Sequence, residues 1–289
     1  MDISVIIVSW NVRDLLKKCL ESVFRFTKNS VILSEAKNPR DNPRDPSATP
    51  QDDVSFEVIV VDNASTDGTV EMVKRDFPQV KLIADQENRG FAAANNQGIK
   101  EANGEYILLL NPDTELIEDS LSGVVKKMRS DSSIGVLGCK LLNSDKTFQP
   151  SVRRFPRVRD IAVMLFKLHK LFPSLLDRYL MKDFTELTPH PNPLPKGEGT
   201  THEVDQVMGA FFCIRKSLLD KIGLLDEGYF IWFEEVDFCR RAKKAGYKVV
   251  YWPDTSVVHH GGQSFSQQTT LKKQWWFFKS ALRYFLKRG

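Results

Sequence analysis

Short, unbroken apolar runs set the rhythm of the first hundred residues. Ile3–Ser9 (ISVIIVS), Phe56–Val61 (FEVIVV, ending at Asp62) and Tyr106–Leu110 (YILLL) are apolar at odd and even positions alike. That is the pattern of strands buried on both faces. Lys81–Ala84 adds a shorter run. Between the runs the period lengthens. Leu15, Leu16, Cys19, Leu20 and Val23 recur at helical spacing, Thr69–Arg75 reads as a helix, and Phe91–Ala102 is a helix of small residues closed by Asn103 and Gly104. Strand and helix alternate in the βαβα order of an α/β, doubly wound sheet with helices on both faces.

The second half is less regular. A basic segment, Arg153–Arg159, leads into a helical stretch rich in Leu and Phe. Strands are expected at Gln206–Ile214 and Lys248–Trp252, and a helix at Glu234–Ala245 with Gly246 as its stop. A basic, aromatic helix is expected from Leu271 to Arg288. Two segments break the pattern. Residues 29–53 carry Pro39, Pro43, Pro46 and Pro50 with no aromatic residue, and residues 188–201 (TPHPNPLPKGEGTT) are alike. Neither has the apolar surface to order itself, so both are expected to be disordered, Pro-rich insertions in a single domain. Within them, VILSEAKNP and HPNPLPKGEG resemble peptides encoded by interspersed bacterial repeat elements. The first insertion joins a helix to the following strand, which places it at the sheet end away from the strands' carboxyl termini. Lengthening such a loop costs only about 0.6 kcal/mol per doubling.

Composition narrows the class. The 289 residues are 42% hydrophobic and 27% charged, which excludes a wholly disordered chain. Lys and Arg number 41 against 37 Asp and Glu, a balance that gives no case for a nucleic-acid partner. No run of apolar residues is long enough to span a bilayer. The start, MDISVIIVSW, has no basic region and reads as a buried strand instead of a signal peptide. Cys19, Cys139, Cys213 and Cys239 form no CxxC pair and sit in apolar stretches, so buried free thiols and a reducing, cytoplasmic location are expected.

Candidate chemistry gathers where strands end, the edge at which open α/β sheets bind ligands. Three such ends are polar: Ser9-Trp10-Asn11; Asp62-Asn63-Ala64-Ser65-Thr66-Asp67-Gly68; and Asn111-Pro112-Asp113. Singly, each is ordinary turn chemistry; three on one rim suggest a site. Asp62 is placed to accept hydrogen bonds from a base ring N–H and ribose hydroxyls. Asn111 and Asp113, two apart, face the same way if the segment is extended. Asp113 then offers one carboxylate to Mg²⁺ or Mn²⁺, which take the rest of their shell from substrate phosphates. Neither GxxxxGK[ST] nor GxGxxG occurs, so a diphosphate would be held through metal. In Asn88-Arg89-Gly90-Phe91, Gly90 permits a tight turn, and Asn88, Arg89 and Asn95 are candidate polar contacts to sugar or phosphate.

Glu234-Glu235-Val236-Asp237 opens a predicted helix, where acids suit the dipole. Glu235 shares its face with Phe238, Cys239 and Ala242, whereas Glu234 and Asp237 share a side with Arg241. Glu235 is therefore the acid expected in apolar surroundings. Desolvation and like-charged neighbours raise its pKa as a general base requires, and the helix N-terminus opposes this. His259 and His260 follow a predicted strand; being adjacent, at most one of them faces the site.

Taken in order, VIIVSWN, VIVVDNASTDGT, ENRGFAAANNQGI, LLLNPDTE, GAFFCIRK, GLLDEGYFIWFEEVDFCRR and VVHHGGQS resemble the motif series of family 2 glycosyltransferases, in their rhamnosyltransferase-like branch. The resemblance covers nearly the whole chain outside the two insertions. It implies a GT-A fold, a Rossmann-like mixed sheet, and inverting transfer from a nucleotide-diphosphate sugar. By it, Asp62 matches the base-recognition aspartate, and Ser9, Asn11, Asn63, Ser65, Asp67, Asn88, Arg89, Gly90, Asn95 and Asn111 join it around the donor. Asp113 matches the last acid of the DxD metal motif, with Asn111 in place of the first, and His259 matches the histidine that completes the metal site. Glu235 matches the catalytic base, often Asp in the family, with Glu234 and Asp237 beside it. Residues 1–265 would form the transferase domain, with a nucleotide half (1–115) and an acceptor half (116–265). The tail, 266–289, is an amphipathic helix that either docks on the domain or lies on an anionic membrane. The acceptor expected is a glycan or lipid-linked glycan of a cell-surface polysaccharide. One sugar is added per encounter, because the QxxRW motif and spans of processive synthases are lacking. A non-catalytic sugar-nucleotide or glycan-binding module and a nucleotidyltransferase are the rivals; no glycine-rich, basic N-terminal loop supports the latter.

Overall fold

The computed structural model describes residues 1–27, 54–183, 201–261 and 270–287. Both expected insertions lie outside these residues, save Thr201. Strands β1 (Ile3–Ser9) and β2 (Phe56–Asp62) run parallel in continuous register, from Ile3 opposite Phe56 to Ser9 opposite Asp62. β3 (Lys81–Ala84) flanks β2 and β4 (Tyr106–Leu110) flanks β1, completing a parallel quartet. Helices α1 (Arg13–Phe26), α2 (Thr69–Asp76) and α3 (Phe91–Lys100) make the crossovers. The strands are apolar throughout because both faces are covered. Ile3, Val5 and Ile7 pack with Leu16 and Leu20 of α1, while Ile6 and Ile59 pack with Ala92 and Ala94 of α3. The small residues of α3 allow close approach: a Cβ on Gly98 would stand 2.5 Å from Ile6 Cγ2.

The second half turns this quartet into a mixed sheet. Its elements are β5 (Thr114–Leu116), α4 (Ser120–Ser130), β6 (Ile134–Leu142), β7 (Phe148–Gln149), β8 (Val152–Arg153), α5 (Val158–Leu165), β9 (His202–Glu203), β10 (Gln206–Val207), β11 (Phe211–Arg215), α6 (Lys216–Ile222), α7 (Glu234–Lys244), β12 (Lys248–His259) and α8 (Thr270–Leu286). The sheet order is β3-β2-β1-β4-β11-β6-β12-β5, with β7 on β6 and β9 on β12; β8 and β10 pair separately. β11 is antiparallel to both β4 and β6, and β12 is parallel to β6.

Several sequence expectations are corrected here. The strand expected at Gln206–Ile214 is two strands. Residues 208–210 leave the ladder, and the Ala210 carbonyl instead accepts the Asn111 N–H at 3.1 Å. The strand expected to stop at Trp252 continues through Pro253 to His259, absorbing the proline in a register shift between Trp252 and Ser256. α3 closes at Lys100, two residues early, where the Ala102 N–H turns back onto the Ile99 carbonyl. The four cysteines are buried and free, as expected.

Connectivity fixes which edge holds α7's first turn. α7 ends at Lys244, and three residues separate it from the start of β12 at Lys248, opposite Ile134 at the beginning of β6. β6 and β12 share the direction of the parallel quartet. The start of α7 therefore lies at the other edge, where β1, β2 and β4 end. α8 docks beside it: Ala281 and Tyr284 are buried against Ile161, Tyr229, Phe233 and Val236. Among the described residues, no helix is long and apolar enough to cross a membrane.

Candidate active site

The loops after β1 and β2 are stitched together by their own polar side chains. The Asn63 N–H donates to the Ser9 carbonyl at 2.8 Å. Asn11, at φ +51°, donates its N–H to Ser65 Oγ (2.9 Å) and accepts the Thr66 N–H on Oδ1 (2.8 Å). Asp67 accepts the Arg13 N–H at 2.9 Å and the Thr69 hydroxyl at 2.5 Å. Asn11, Ser65 and Asp67 thus hold the loops in place. Asp62 is left with a task outside the loop. It is 1% exposed; Oδ2 accepts the Ser65 N–H at 2.9 Å, and Oδ1 has no hydrogen-bond partner among the described residues. Burial raises its pKa, and the Ser65 bonds hold it down. Ser9 Oγ, on the residue opposite Asp62 in the ladder, is likewise buried and without a partner.

The 88–90 turn ties this corner to the second half. Asn63 donates to Asn88 Oδ1 (3.0 Å) and accepts the Arg89 N–H (2.9 Å). Gly90 sits at φ +86°, and a Cβ there would stand 2.6 Å from the Phe230 carbonyl, the group that accepts the Phe91 N–H at 2.7 Å. The Arg89 guanidinium lies 3.6 Å from Asp85. Asn95 is buried and donates to the Phe91 carbonyl at 2.9 Å, within its own helix. Its neighbour Asn96, not singled out in the sequence, bonds Leu225 through both backbone groups and Glu227 Oε1 at 3.0 Å.

Asn111-Pro112-Asp113 is a turn, not the extended segment expected. The Thr114 N–H donates to the Asn111 carbonyl at 3.1 Å, and Pro112 takes the second turn position, which its fixed φ favours. Asn111 is half-buried and Asp113 buried. Strand β5 then pairs Thr114 with His259. His259 Nδ1 lies 2.7 Å from Gln149 Oε1, and Gln149 Nε2 donates to Asn143 Oδ1 (2.9 Å) and to the His259 carbonyl (3.4 Å). Those two acceptors orient the amide, which assigns the proton to Nδ1 and the lone pair to Nε2. Nε2 has no hydrogen bond and stands 3.4 Å from Asp113 Oδ1. His260 points the other way, to Glu115 (2.9 Å) and Ser144 (2.7 Å). With the imidazole neutral, one carboxylate oxygen and one ring lone pair face each other, a pair that fits a divalent cation. Among the described residues no group of three or more His, Cys, Asp or Glu side chains is arranged for a metal.

The base corner is reached through two consecutive non-glycine residues in the left-handed region, Trp232 at φ +62° and Phe233 at +73°. Such strain persists where surrounding packing imposes it, and Phe233 is clamped between Phe277 and Tyr284. Glu234 and Glu235 follow, and one carboxylate oxygen of each, Oε2, is buried with no hydrogen-bond partner among the described residues. Burial pushes Glu234 well above the usual carboxylate range, and the charge of Glu235 adds to it. Glu235 is also raised by burial, but its own N–H, that of Val236 and the Glu234 carboxyl pull it back. Of the two, Glu234 is pushed up the more strongly.

The sequence had placed Glu235 as the more sheltered acid; instead Glu234 is 4% exposed and Glu235 half-buried. The Arg241 side of α7 is closed off, because its guanidinium reaches the Ile222 (2.7 Å) and Leu224 (2.9 Å) carbonyls. Asp237, on that side, accepts from Arg241 at 2.8 Å and lies 3.4 Å from Lys287, and so holds the helix.

Three neighbours were missed by sequence reasoning. Gln149 left no signal before the fold brought it to His259. Tyr179, pushed up to about 12 by burial, feels both Arg153 and Glu235. Arg153, half-buried, donates to the Pro150 and Val152 carbonyls and belongs to the basic segment that had been noted without a role.

A parallel quartet with a polar rim, extended by antiparallel strands and closed by an acid-tipped helix, is a GT-A glycosyltransferase architecture. The model of glycosyl transferase family 2 matches residues 4–191, and the chain belongs to that family of enzymes. Among curated relatives, the N-acetylglucosaminyl-diphospho-decaprenol L-rhamnosyltransferase of Mycobacterium tuberculosis is 25% identical over 224 residues, 72% of this chain and 67% of that protein. The low-salt glycan biosynthesis hexosyltransferase Agl10 of Haloferax volcanii is 24% identical over 71% of this chain and 59% of its own length. Among solved structures, a mannosyltransferase of Pyrobaculum calidifontis in complex with GDP-Man and Mn²⁺ superposes with a TM-score of 0.56 at 20% identity, covering 97% of this chain and 64% of that one. The chain thus spans 59–67% of the length of these proteins.

Proposed function

We propose that this chain transfers one sugar, with inversion, from a nucleotide-diphosphate sugar to a glycan or lipid-linked acceptor in the assembly of a cell-surface polysaccharide. Rhamnose is the first candidate donor sugar, since the M. tuberculosis relative is named for rhamnosyl transfer to a lipid-linked acceptor. The reaction would take place at the cytoplasmic face of the membrane that carries such an acceptor. The observation that carries the reading is a pair of adjacent acids, Glu234 and Glu235, both raised by burial, on the same sheet edge as Asp62 and Asp113.

Each residue then has a defined task. Asp62 Oδ1 accepts the base ring N–H, for which it has an open lone pair. Asp113 and His259 hold Mg²⁺ or Mn²⁺. When bound, that cation neutralises the diphosphate and so eases its departure. Glu235 takes the proton from the acceptor hydroxyl, whose oxygen attacks the anomeric carbon from the side opposite the diphosphate. The bond to the diphosphate oxygen breaks with its electron pair. A diphosphate leaves without protonation, so one base suffices where a glycosidase needs two carboxyl groups. Glu234, the more deeply buried acid, flanks Glu235.

The test is a panel of nucleotide-diphosphate sugars offered with lipid-linked and soluble acceptors, with and without Mg²⁺ or Mn²⁺. The expected result is metal-stimulated release of nucleoside diphosphate with one donor and an inverted anomeric product. Donor binding with no release across acceptors and metals would move the chain to the non-catalytic reading.

A further inference from the structure

Helix α8 carries two apolar stripes, and the described residues cover only one. Phe277, Ala281 and Tyr284, at i, i+4 and i+7, pack into the cluster of Ile161, Tyr229, Phe233 and Val236. The other stripe, Leu271, Trp275, Phe278, Leu282 and Leu286, repeats at i, i+4, i+7, i+11 and i+15 and is 43–80% exposed. A helix that only docks needs one stripe. The adjoining α5, which shares the same cluster, leads into a turn where Phe166, Leu171 and Phe172 are 60–75% exposed. Together these exceed the scattered apolar residues of an ordinary surface.

The charge of the helix itself has one sign, and while Arg283 and Lys287 pair with Asp226, no ion pair to Lys272, Lys273 or Lys279 is seen among the described residues. From Leu271 to Gly289 there are six basic residues and no acidic one, and the turn contributes Lys167 and Lys170. The whole chain is only +4, so the remainder is net acidic and the positive charge is concentrated here. Lys272 and Lys273 lie beside the aromatic stripe, with Lys272 over the Trp276 ring at 4.9 Å. Aromatic and aliphatic side chains between lysines match the interfacial zone of an anionic bilayer, where rings enter the headgroup boundary and ammonium groups meet lipid phosphate.

We propose that the outer face of α8 and the 166–172 turn form one docking surface for an anionic bilayer. The buried face of α8 gives that seat a consequence. Trp276 stacks on Phe230 at 4.6 Å between centroids, and Ser280 Oγ donates to the Ile231 carbonyl at 2.8 Å. These residues belong to the loop that delivers Glu235, so docking sets the base corner beside the membrane. This last step rests on the lipid-linked acceptor of the proposed function; the docking itself does not.

The experiment is flotation of the full chain with vesicles of phosphatidylcholine alone and of equimolar phosphatidylcholine and phosphatidylglycerol. Binding is expected only to the anionic vesicles and should weaken with salt. The exposed-stripe variant Trp275→Ser/Phe278→Ser/Leu282→Ser and the charge variant Lys272→Glu/Lys273→Glu should each lower the partition coefficient about tenfold or more. Unchanged circular dichroism and thermal midpoint keep folding out of the comparison. Phe166→Ser/Phe172→Ser should lower it too; binding equal to wild type would overturn the two-element surface. Absence of wild-type binding, or a stable dimer in solution that buries the α8 stripe, overturns the proposal. Donor binding measured without vesicles reads the transferase assignment separately, so the two failures are distinguishable.

Discussion

The donor corner and the base corner hold their acids by opposite means. Around Asp62, neighbouring loops are laced by short polar bonds: Asn11 to Ser65 and Thr66, Asp67 to Arg13 and Thr69, Asn63 to Asn88. Nearly every polar group there is used, leaving one carboxylate oxygen and one hydroxyl open. Around Glu235 the walls are rings from far along the chain: Phe233, Phe277 and Tyr284 on one side, and Phe238 against Phe212 on the other. In the proposed reaction the first corner would recognise the donor, and the second would shift a proton equilibrium. A polar lattice fixes geometry without moving pKa values far, whereas apolar walls do the reverse.

The largest expected effect breaks the base corner alone. Glu235→Gln keeps the size of the side chain but removes the proton acceptor. Turnover should fall by about 10²–10⁴-fold, with donor affinity by calorimetry unchanged. Equal loss of donor binding would merge the corners into one. In the wild type, Glu235 must be ionised to act, so kcat/KM should fall as pH drops through its raised pKa. That acid limb should lie above the ordinary glutamate value of about 4.3.

The same contrast explains what was legible in the sequence. Asp62, Asp113 and the four parallel strands were readable because local pattern decides them: apolar runs on both faces, then turn residues. β6 escaped notice because Gly135 and Gly138 break its apolar run, and their missing side chains are explained only by contact with Tyr247 and Val207. β12 was cut short at Pro253, since a proline argues against a strand until a register shift makes room for it. The ranking of Glu234 and Glu235 failed because helical face arithmetic sees one helix. What covers the Arg241 side is the 222–224 loop, a partner no periodicity announces.

The next effect in size falls on the metal side of the rim. Gln149→Ala removes the acceptor that keeps the proton on His259 Nδ1 and the lone pair on Nε2. Loss of such an orienting partner costs about 10–100-fold in metal affinity, to be read as the Mn²⁺ concentration giving half-maximal paramagnetic signal. Unchanged Mn²⁺ affinity would remove His259 from the metal site. Gly90→Ala strikes the joint between the corners. The left-handed φ alone costs about 1–3 kcal/mol, and the new Cβ would press on the Phe230 carbonyl. Urea unfolding should report the loss, with donor affinity falling alongside it; an unaltered midpoint would mean the joint yields.

A smaller, pH-dependent effect belongs to Glu234. Its pKa is raised in the folded state, so folding favours its proton. Stability is full below the unfolded value near about 4.3 and declines as pH rises toward the folded value. Glu234→Gln cannot ionise. The variant should match wild type in acid and become the more stable of the two as pH rises, with turnover little changed because Glu235 is intact. Glu234→Ala removes the neighbour that holds Glu235 down and should move the acid limb of kcat/KM to higher pH. An unmoved limb would leave Glu234 a packing residue only.

The smallest expected change in stability is also the sharpest probe of the donor corner. Arg89 is half exposed, and its guanidinium stands 3.6 Å from Asp85, a pair of the kind worth about 0–1 kcal/mol. Its backbone N–H, bonded to Asn63, is unaffected by side-chain substitution. Arg89→Ala should therefore leave unfolding free energy within about 0.5 kcal/mol of wild type. If the guanidinium takes up a donor phosphate, one charge-assisted hydrogen bond is lost and donor KM rises about tenfold, with Arg89→Lys recovering part of it. An unchanged KM would confine recognition to the laced residues around Asp62 and make Arg89 a bystander at the edge of a rigid site.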